Sequence, residues 1–370
     1  MASTWHRTFE TRTTTNEIDG ERATTNDIDG ERATTNEIDG ERAATNGVQT
    51  VSETMRAAMH DRFGGPEVLY VGTAPKPAPG PGEVLVRVRA TSVNGGELLA
   101  RAGRVRLVSG RKFPQRTGLD FAGEVVALGP AATGPAVGDR VWGIMPRTSG
   151  FGSAAEYVAV RPRQLGRIPK GLDAVEAAAL PAGTTAITAL RDKARLRPGE
   201  RLLVRGAAGG VGHVAVQLGK ALGAHVTGLA RADNLGLVRG LGADEAYDYR
   251  ATGPADLGRY DVVLDTVGKD LAAHRRLLGP AGRMVTIAFD LDRPVASLGY
   301  LLASTVHGRR RVRFFSGNPR TALFNDLAAY VADGAIRPVV DTVFPLEEIG
   351  AAHRALEAGG VRGKFVVRVD

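Results

Sequence analysis

The chain has 370 residues, 43% of them hydrophobic, a formal net charge of +8 and no cysteine. That length supports a large core and more than one domain, while the missing thiols exclude disulfides, thiolate-ligated metals and a cysteine nucleophile.

Residues 11–46 repeat a ten-residue unit, "TRTTTNEIDG", "ERATTNDIDG", "ERATTNEIDG" and the decayed "ERAATNGVQT". The three intact units each offer one Ile as their only large hydrophobe, too little apolar surface to offset the ordering of the backbone. Residues 1–54 are therefore read as a disordered decapeptide-repeat tail, and the folded chain is expected to start at Met55. This tail carries five Arg against eleven Asp or Glu, a charge of −6, which leaves +14 on the remainder. A basic body attracts polyanions in general, but its arginines are scattered and no nucleic-acid reading motif accompanies them, so no nucleic-acid partner is expected. Neither an apolar leader nor a charge-free run of eighteen apolar residues occurs, so the expectation is a cytoplasmic protein without a membrane partner.

Between 55 and 170 the pattern is of short strands separated by Gly and Pro turns: "EVLVRVRATSVN" (83–94), "FAGEVVALG" (121–129), "GDRVWGIM" (138–145) and "AEYVAV" (155–160). "LDAVEAAALPAGTTAITAL" (172–190) reads as helix, broken or kinked at Pro181. Strand and helix signals then alternate. Strands are predicted at Leu202–Arg205, His225–Leu229, Glu245–Tyr247, Asp261–Asp265, Arg283–Ala288 and Val312–Ser316, with helices at Gly210–Leu222 and Asn234–Leu241. Repeated β-α-β units with short connections predict a doubly wound parallel sheet, with its ligand beyond the C-terminal ends of the strands. After residue 320 come two amphipathic helices and terminal strands that return to the first unit.

"RGAAGGVG" (205–212) follows the first of those predicted strands and opens a helix. Its spacing, GxxGxxG at Gly206, Gly209 and Gly212, is a variant of the usual dinucleotide fingerprint. Small residues let the main chain approach a pyrophosphate, whose charge the N–H groups and dipole of the next helix stabilise. The alternative use of such glycines is close helix–sheet packing. At the end of the second strand of this unit, where an NAD site places a carboxylate, stand Gly228, Leu229 and Ala230, followed by Arg231. A guanidinium there favours the 2′-phosphate of NADPH, although Asp233 lies close by. The seven histidines form no ligand pair at helical spacing, so no catalytic metal is expected.

Taken together, "SVN" (92–94), "GLDFAGEVVALG" (118–129), "VGDRVWG" (137–143), "LPAGTTAITAL" (180–190), "AAGGVG" (207–212), "LGADEAYDYR" (241–250), "VVLDTVG" (262–268) and "GKFVV" (363–367) resemble the zinc-independent medium-chain dehydrogenase/reductases of the quinone oxidoreductase-like group. The resemblance covers nearly all of 55–370. It implies a mostly-β GroES-like catalytic domain (55–177 and 319–370) split around a Rossmann NADP-binding domain (178–318), in a homodimer acting on a small-molecule substrate. It implies NADPH-dependent reduction of quinones or of the C=C bond of enones, enals or enoyl thioesters. By the same resemblance Asn94 lies near the nicotinamide and substrate, with a turn or structural residue as the alternative, and Thr185 contacts the cofactor. Gly209, Gly210 and Val211 match the pyrophosphate loop, Arg231 and Tyr249 fall near the adenosine phosphate, and Lys364 sits in a matching "GK" with a structural role as the alternative. Two departures stand out. Relatives continue from "SVN" through Pro and Asp to a Tyr often proposed as proton donor, whereas this chain reads "SVNGGELLARAGRVRLVSG", with Gly95, Glu97 and Arg104-Val105 at those places. Arg231 stands where relatives commonly have Ser or Thr.

Without a metal, hydride would pass to the β-carbon of an activated alkene, or to a quinone, with the Asn94 amide and nearby backbone N–H groups stabilising the developing oxyanion. Water or an unidentified side chain would supply the proton. Two other readings stay open: a specialised biosynthetic enzyme of the same fold, performing enoyl reduction of a tailored intermediate or non-redox cyclisation, and an NADPH-linked nucleic-acid-binding or sensing protein suggested by "GRRRVR" (308–313).

Overall fold

The computed structural model describes residues 53–370 apart from 107–109, 111, 147–149, 289, 291 and 370. The repeat tail read from the sequence lies outside the described residues, except for its last two. Those two belong to the fold: Thr54 opens the first strand and Lys76 Nζ lies 2.6 Å from Glu53 Oε2.

The described strands of the first half are β1 (Thr54–His60), β2 (Tyr70–Pro75), β3 (Val84–Ser92), β4 (Gln115–Arg116), β5 (Asp120–Leu128), β6 (Arg140–Ile144), β7 (Tyr157–Val160) and β8 (Leu165–Arg167). The middle of the chain contributes β9 (Arg201–Arg205), β10 (His225–Ala230), β11 (Glu245–Asp248), β12 (Tyr260–Asp265), β13 (Leu278–Thr286) and β14 (Val312–Phe314). The end adds β15 (Val340–Pro345) and β16 (Lys364–Arg368).

Strands β9 to β14 form one six-stranded sheet in the order β11-β10-β9-β12-β13-β14, paired in parallel throughout. This is the order of a Rossmann sheet, in which the winding reverses between β9 and β12 and leaves a crevice at their C-terminal ends. The central strands are apolar on both faces because helices cover both sides: Leu202, Leu203, Val204, Val262, Val263 and Leu264 are all fully buried. The "GRRRVR" run leads into β14.

The other large sheet has the order β15-β16-β3-β5-β6-β8, with β7 paired to β3, and a three-stranded sheet β2-β1-β4 stands apart. Here the pairs are antiparallel except β15 with β16. β16 thus returns from beyond the parallel sheet to lie against β3, joining Val366 to Ser92 and Val367 to Thr91. This return brings the chain end and the "SVN" turn together. The architecture is a GroES-like unit interrupted by a Rossmann unit.

The stretch 172–190 is broken where Pro181 predicts. Ala174–Ala178 is one helix, started by an Asp173/Glu176 capping box, and Gly183–Ile187 is a second that runs on into π-helical Thr188–Lys193. Among the described residues three helices carry no mark in the sequence reading: Gly95–Arg101, immediately after "SVN", Leu271–Arg275 and Pro294–Ala303. Among the described residues no helix is long and apolar enough to cross a membrane.

Candidate active site

The glycine loop leaves β9 and enters the helix Gly212–Ala221. Gly206 has φ +72°, a left-handed conformation that favours glycine, and a Cβ there would stand 2.4 Å from Thr266 Oγ1. A Cβ on Gly212 would stand 2.0 Å from the Gly206 carbonyl oxygen, so loop and helix close on each other only without side chains. Gly209, by contrast, has only that oxygen nearby, at 3.5 Å from its Cβ position. The tight positions shape the turn and the open one leaves room for a ligand, which is the fit a pyrophosphate requires. Behind the loop His213 is fully buried, its pKa pushed down to about 4 by burial, so it is a neutral wall rather than a charge.

Two clefts meet at this loop. One, of about 540 Å³, is lined by Arg205, Gly206, Gly209, Arg231, Asn234 and Tyr249 among others. The other, of about 780 Å³, is lined by Asn94, Gly209, Gly210, Val211, Lys269 and Lys364 among others. Gly209, Thr266, Val267 and Val361 wall both, making one continuous groove. The structure therefore brings Asn94, Gly209, Gly210 and Val211 to one end and Arg231 and Tyr249 to the other. Thr185 is half-buried in the helix Gly183–Ile187 and is not among the residues lining either cleft; its Oγ1 stands 3.4 Å from the Cβ position of Gly317.

The Arg231 end is roofed by the turn before β16. Asn234 Nδ2 donates to Gly360 O at 3.0 Å, Gly363 N to Ala208 O at 2.7 Å, and a Cβ on Gly360 would stand 2.4 Å from an Arg231 guanidinium nitrogen. Arg231 is only loosely held by Asp233, at 3.7 Å. Asp233 thus leaves that guanidinium available to an anion.

At the other end Asn94 is locked. Its Nδ2 donates to Ser92 O at 3.1 Å and to Glu97 Oε1 at 3.0 Å, while its Oδ1 accepts from Lys364 Nζ at 2.6 Å. A flipped amide would face the ammonium with N–H groups, so these partners fix its orientation. Both amide hydrogens are engaged inside the protein in this arrangement. Lys364 is the hub that the sequence reading left between a functional and a structural role. It is 3% exposed and also donates to Val93 O and to Asp120 Oδ2, each at 3.2 Å. The "GK" string gave the signal, but its buried partner stands 244 residues away in sequence.

Glu97 extends the network inward. Its Oε2 accepts from Gly118 N at 3.0 Å and Thr117 Oγ1 at 3.2 Å, and burial pushes its pKa up to about 7. Next to it, burial and the Arg101 charge push His353 down to about 3. Arg101 only donates, and its guanidinium lies 3.3 Å from His353 Nδ1, so the imidazole hydrogen is on Nε2, pointing toward Glu97 Oε2 at 3.8 Å. Folded Glu97 holds a proton that the unfolded chain releases above its ordinary pKa of 4.5. Its stabilisation is therefore complete at low pH and is lost as pH rises through the folded value, a fall of about 3 kcal/mol. Over the same range the buried, neutral His213 and His353 add stability as pH rises, so the Glu97 contribution is read as a difference: chemical denaturation across pH 4.5 to 7 is expected to show stability rising more steeply with pH in Glu97→Gln than in the native protein. An equal slope in both would contradict the assignment.

Arg104 lines the cleft and pairs with Asp292 at 2.7 Å, and Lys269 lies 3.6 Å from the same carboxylate. Sequence reasoning also missed the buried Arg205–Asp265 pair at 2.5 Å. It ties the ends of β9 and β12, and Asp265 accepts from Gly268 N at 2.9 Å to set the wall after β12. Among the described residues no group of three or more His, Cys, Asp or Glu is placed to hold a metal ion.

A Rossmann unit with a glycine cradle, its groove running into a GroES-like cleft, defines a nicotinamide-dependent oxidoreductase. Residues 80–170 match the alcohol dehydrogenase GroES-like domain and 241–367 the zinc-binding dehydrogenase domain. The chain is 31% identical to the chloroplast envelope quinone oxidoreductase homolog of Arabidopsis thaliana, over 85% of this chain and 98% of that one. A trans-enoyl reductase of Aspergillus terreus is also 31% identical, over 79% and 87% of the two chains. The solved quinone oxidoreductase of Coxiella burnetii superposes with a TM-score of 0.78 at 30% identity, covering 86% of this chain and all of that one. The chain belongs to the quinone oxidoreductase-like medium-chain dehydrogenase/reductases.

Proposed function

We propose that the protein is a metal-independent reductase that uses NADPH to reduce a quinone or the C=C bond of an enone, enal or enoyl substrate. The observation that carries this reading is the continuous groove: an adenosine end with an available Arg231, a glycine cradle at its middle, and a cleft of about 780 Å³ beyond it. When bound, NADPH supplies the hydride. The open Gly209 position receives the pyrophosphate, Arg231 and Tyr249 hold the adenosine phosphate, and the turn at Gly360 closes over it. Asn94, fixed by Lys364 and Glu97, shapes the floor of the substrate cleft rather than donating to the oxyanion. The donors the cleft retains are the leading N–H groups at Gly95 and Gly96 and the Lys269 ammonium. One such donor contributes about 3–4 kcal/mol to the barrier reduction. Water entering the cleft supplies the proton.

Metal independence is supported by the Lys364–Asp120 pair, which puts a fixed ammonium charge beside the buried carboxylate. The test is consumption of NADPH and NADH against quinones, enones and enoyl thioesters after dialysis with chelator. Turnover with NADPH and no loss on chelation is expected; turnover abolished by chelator and restored by zinc would contradict it. Arg231→Ala is expected to raise KM for NADPH about tenfold and to leave KM for NADH unchanged.

A second reading, enoyl reduction of a tailored intermediate or non-redox cyclisation, draws support from the Arg104–Asp292 pair where relatives carry the Tyr acid. Cofactor binding without oxidation on the same panel would favour the non-redox form. The partners we propose are a small-molecule substrate and a second copy of the chain, with neither nucleic acid nor membrane. Support for the homodimer is an apolar stripe along Pro294–Ala303 and the turn after it: Val295, Leu298, Leu302 and Val306 are 84%, 59%, 65% and 82% exposed. Sedimentation at micromolar concentration checks it, a monomer being the contrary result.

A further inference from the structure

A third concavity, of about 850 Å³, shares no lining residue with the cofactor groove. It lies against the segment before β9, the middle of β13 and the edge strand β14. Six cations line it: Lys193, Arg195, Arg197, Arg283, Arg311 and Arg313. Its two acids are already engaged, Glu200 by Arg283 at 2.6 Å and Asp192 by Arg191 at 2.7 Å. Among the described residues the side chains of Lys193, Arg195, Arg311 and Arg313 have no carboxylate partner, while Arg197 donates its backbone N–H to Glu200 Oε2 at 2.8 Å. Scattered surface arginines repel one another little across water, but these converge on one hollow.

Two observations separate this hollow from an ordinary solvated face. Arg313 donates to Lys193 O at 2.7 Å and its Nε is buried with no hydrogen-bond partner, so the side chain is anchored at the hollow while its charge stays uncompensated. Burial and the charges of Arg311, Arg283 and Arg195 hold its pKa below the ordinary value, which shows how closely the cations are crowded. Arg195 also has φ +50°, a left-handed backbone that a non-glycine residue adopts against strain. That conformation keeps its carbonyl on Arg283 at 2.7 Å while its guanidinium remains unpaired. Phe314, 41% exposed, adds an aromatic face.

We propose that this hollow binds a small molecule bearing two or more linked phosphate groups, at a site separate from the cofactor groove. Linked phosphates match the chemistry: several planar guanidinium donors around one opening, each able to make paired charge-assisted bonds. The volume suits a nucleotide-sized ligand rather than a polymer.

The test is calorimetric titration of the full chain, with NADPH in excess to fill the groove, using inorganic pyrophosphate and, separately, ADP at constant ionic strength. Saturable binding is expected for both; tighter ADP binding would add Phe314 to the site. The variant Arg195→Gly/Arg311→Gln is expected to weaken pyrophosphate binding at least about tenfold and to leave NADPH affinity and turnover unchanged. Glycine adopts the left-handed backbone without strain, so the fold is expected to survive this change, and circular dichroism confirms that it has. Absence of saturable binding, or equal binding by native protein and folded variant, would overturn the proposal. So would binding of a single-stranded RNA without binding of pyrophosphate, which would assign the patch to a polymer.

Discussion

Gly212→Ala is expected to weaken binding of the nicotinamide cofactor by about tenfold to a hundredfold. The added methyl would stand 2.0 Å from the Gly206 carbonyl oxygen and 2.9 Å from Ala207 Cα, both backbone atoms. Gly206 cannot retreat, because its own Cβ position already faces Thr266 Oγ1 at 2.4 Å and its φ is +72°. The loop must therefore open, moving the N–H groups that would receive the pyrophosphate. Gly236→Ala is the matched control: a helical glycine with nothing within 4 Å of its Cβ position. It is expected to leave affinity unchanged and to stabilise the protein by about 0.5–1 kcal/mol. Calorimetric titration of both variants decides, and native affinity in Gly212→Ala would remove the loop from the binding site.

Lys364→Met carries the second large effect. Asp120 is 1% exposed and has Ser92 Oγ at 2.8 Å besides the ammonium, so the substitution leaves a buried carboxylate with one neutral donor. Breaking one side of such a pair costs about 3–5 kcal/mol. Asn94 loses the partner of its Oδ1 at the same time, so kcat is expected to fall with stability. The double variant Lys364→Met/Asp120→Asn removes the stranded charge and is expected to recover part of the lost stability, as a double-mutant cycle would measure. Lys364→Met with native stability would mean that the pair does not hold this end of the cleft together.

The parallel sheet was legible because each of its central strands is a short apolar run with a helix pattern and glycines on either side. The glycine loop was legible for a related reason: Gly206 and Gly212 are dictated by backbone geometry within seven residues of sequence. Arg231 could be read from the residue types closing β10. What escaped depends on distance in sequence. Lys364 meets Asn94 and Asp120 only because β16 crosses back to β3, and nothing local announces that pairing. Glu97 was visible as a departure from relatives, but its burial follows from the helix Gly95–Arg101 turning it onto Thr117 and Gly118. The Asn94 donors illustrate the limit most plainly. Residue type makes an amide a candidate for the oxyanion, whereas its neighbours decide whether a hydrogen is left to donate.

The central claim is that hydride moves from a nicotinamide held by this glycine loop to a substrate in the adjoining cleft, with no bound metal. It is tested most directly by supplying chelator-treated protein with NADPH deuterated at the transferring C4 position and an enone or quinone, then analysing the product by mass spectrometry. For an enone, deuterium at the β-carbon, at a rate unaffected by chelator, is the predicted result; for a quinone, the predicted result is its reduction with matching loss of NADPH. Product formed without label transfer from a bound enone, or formed only after zinc is restored, would contradict the account.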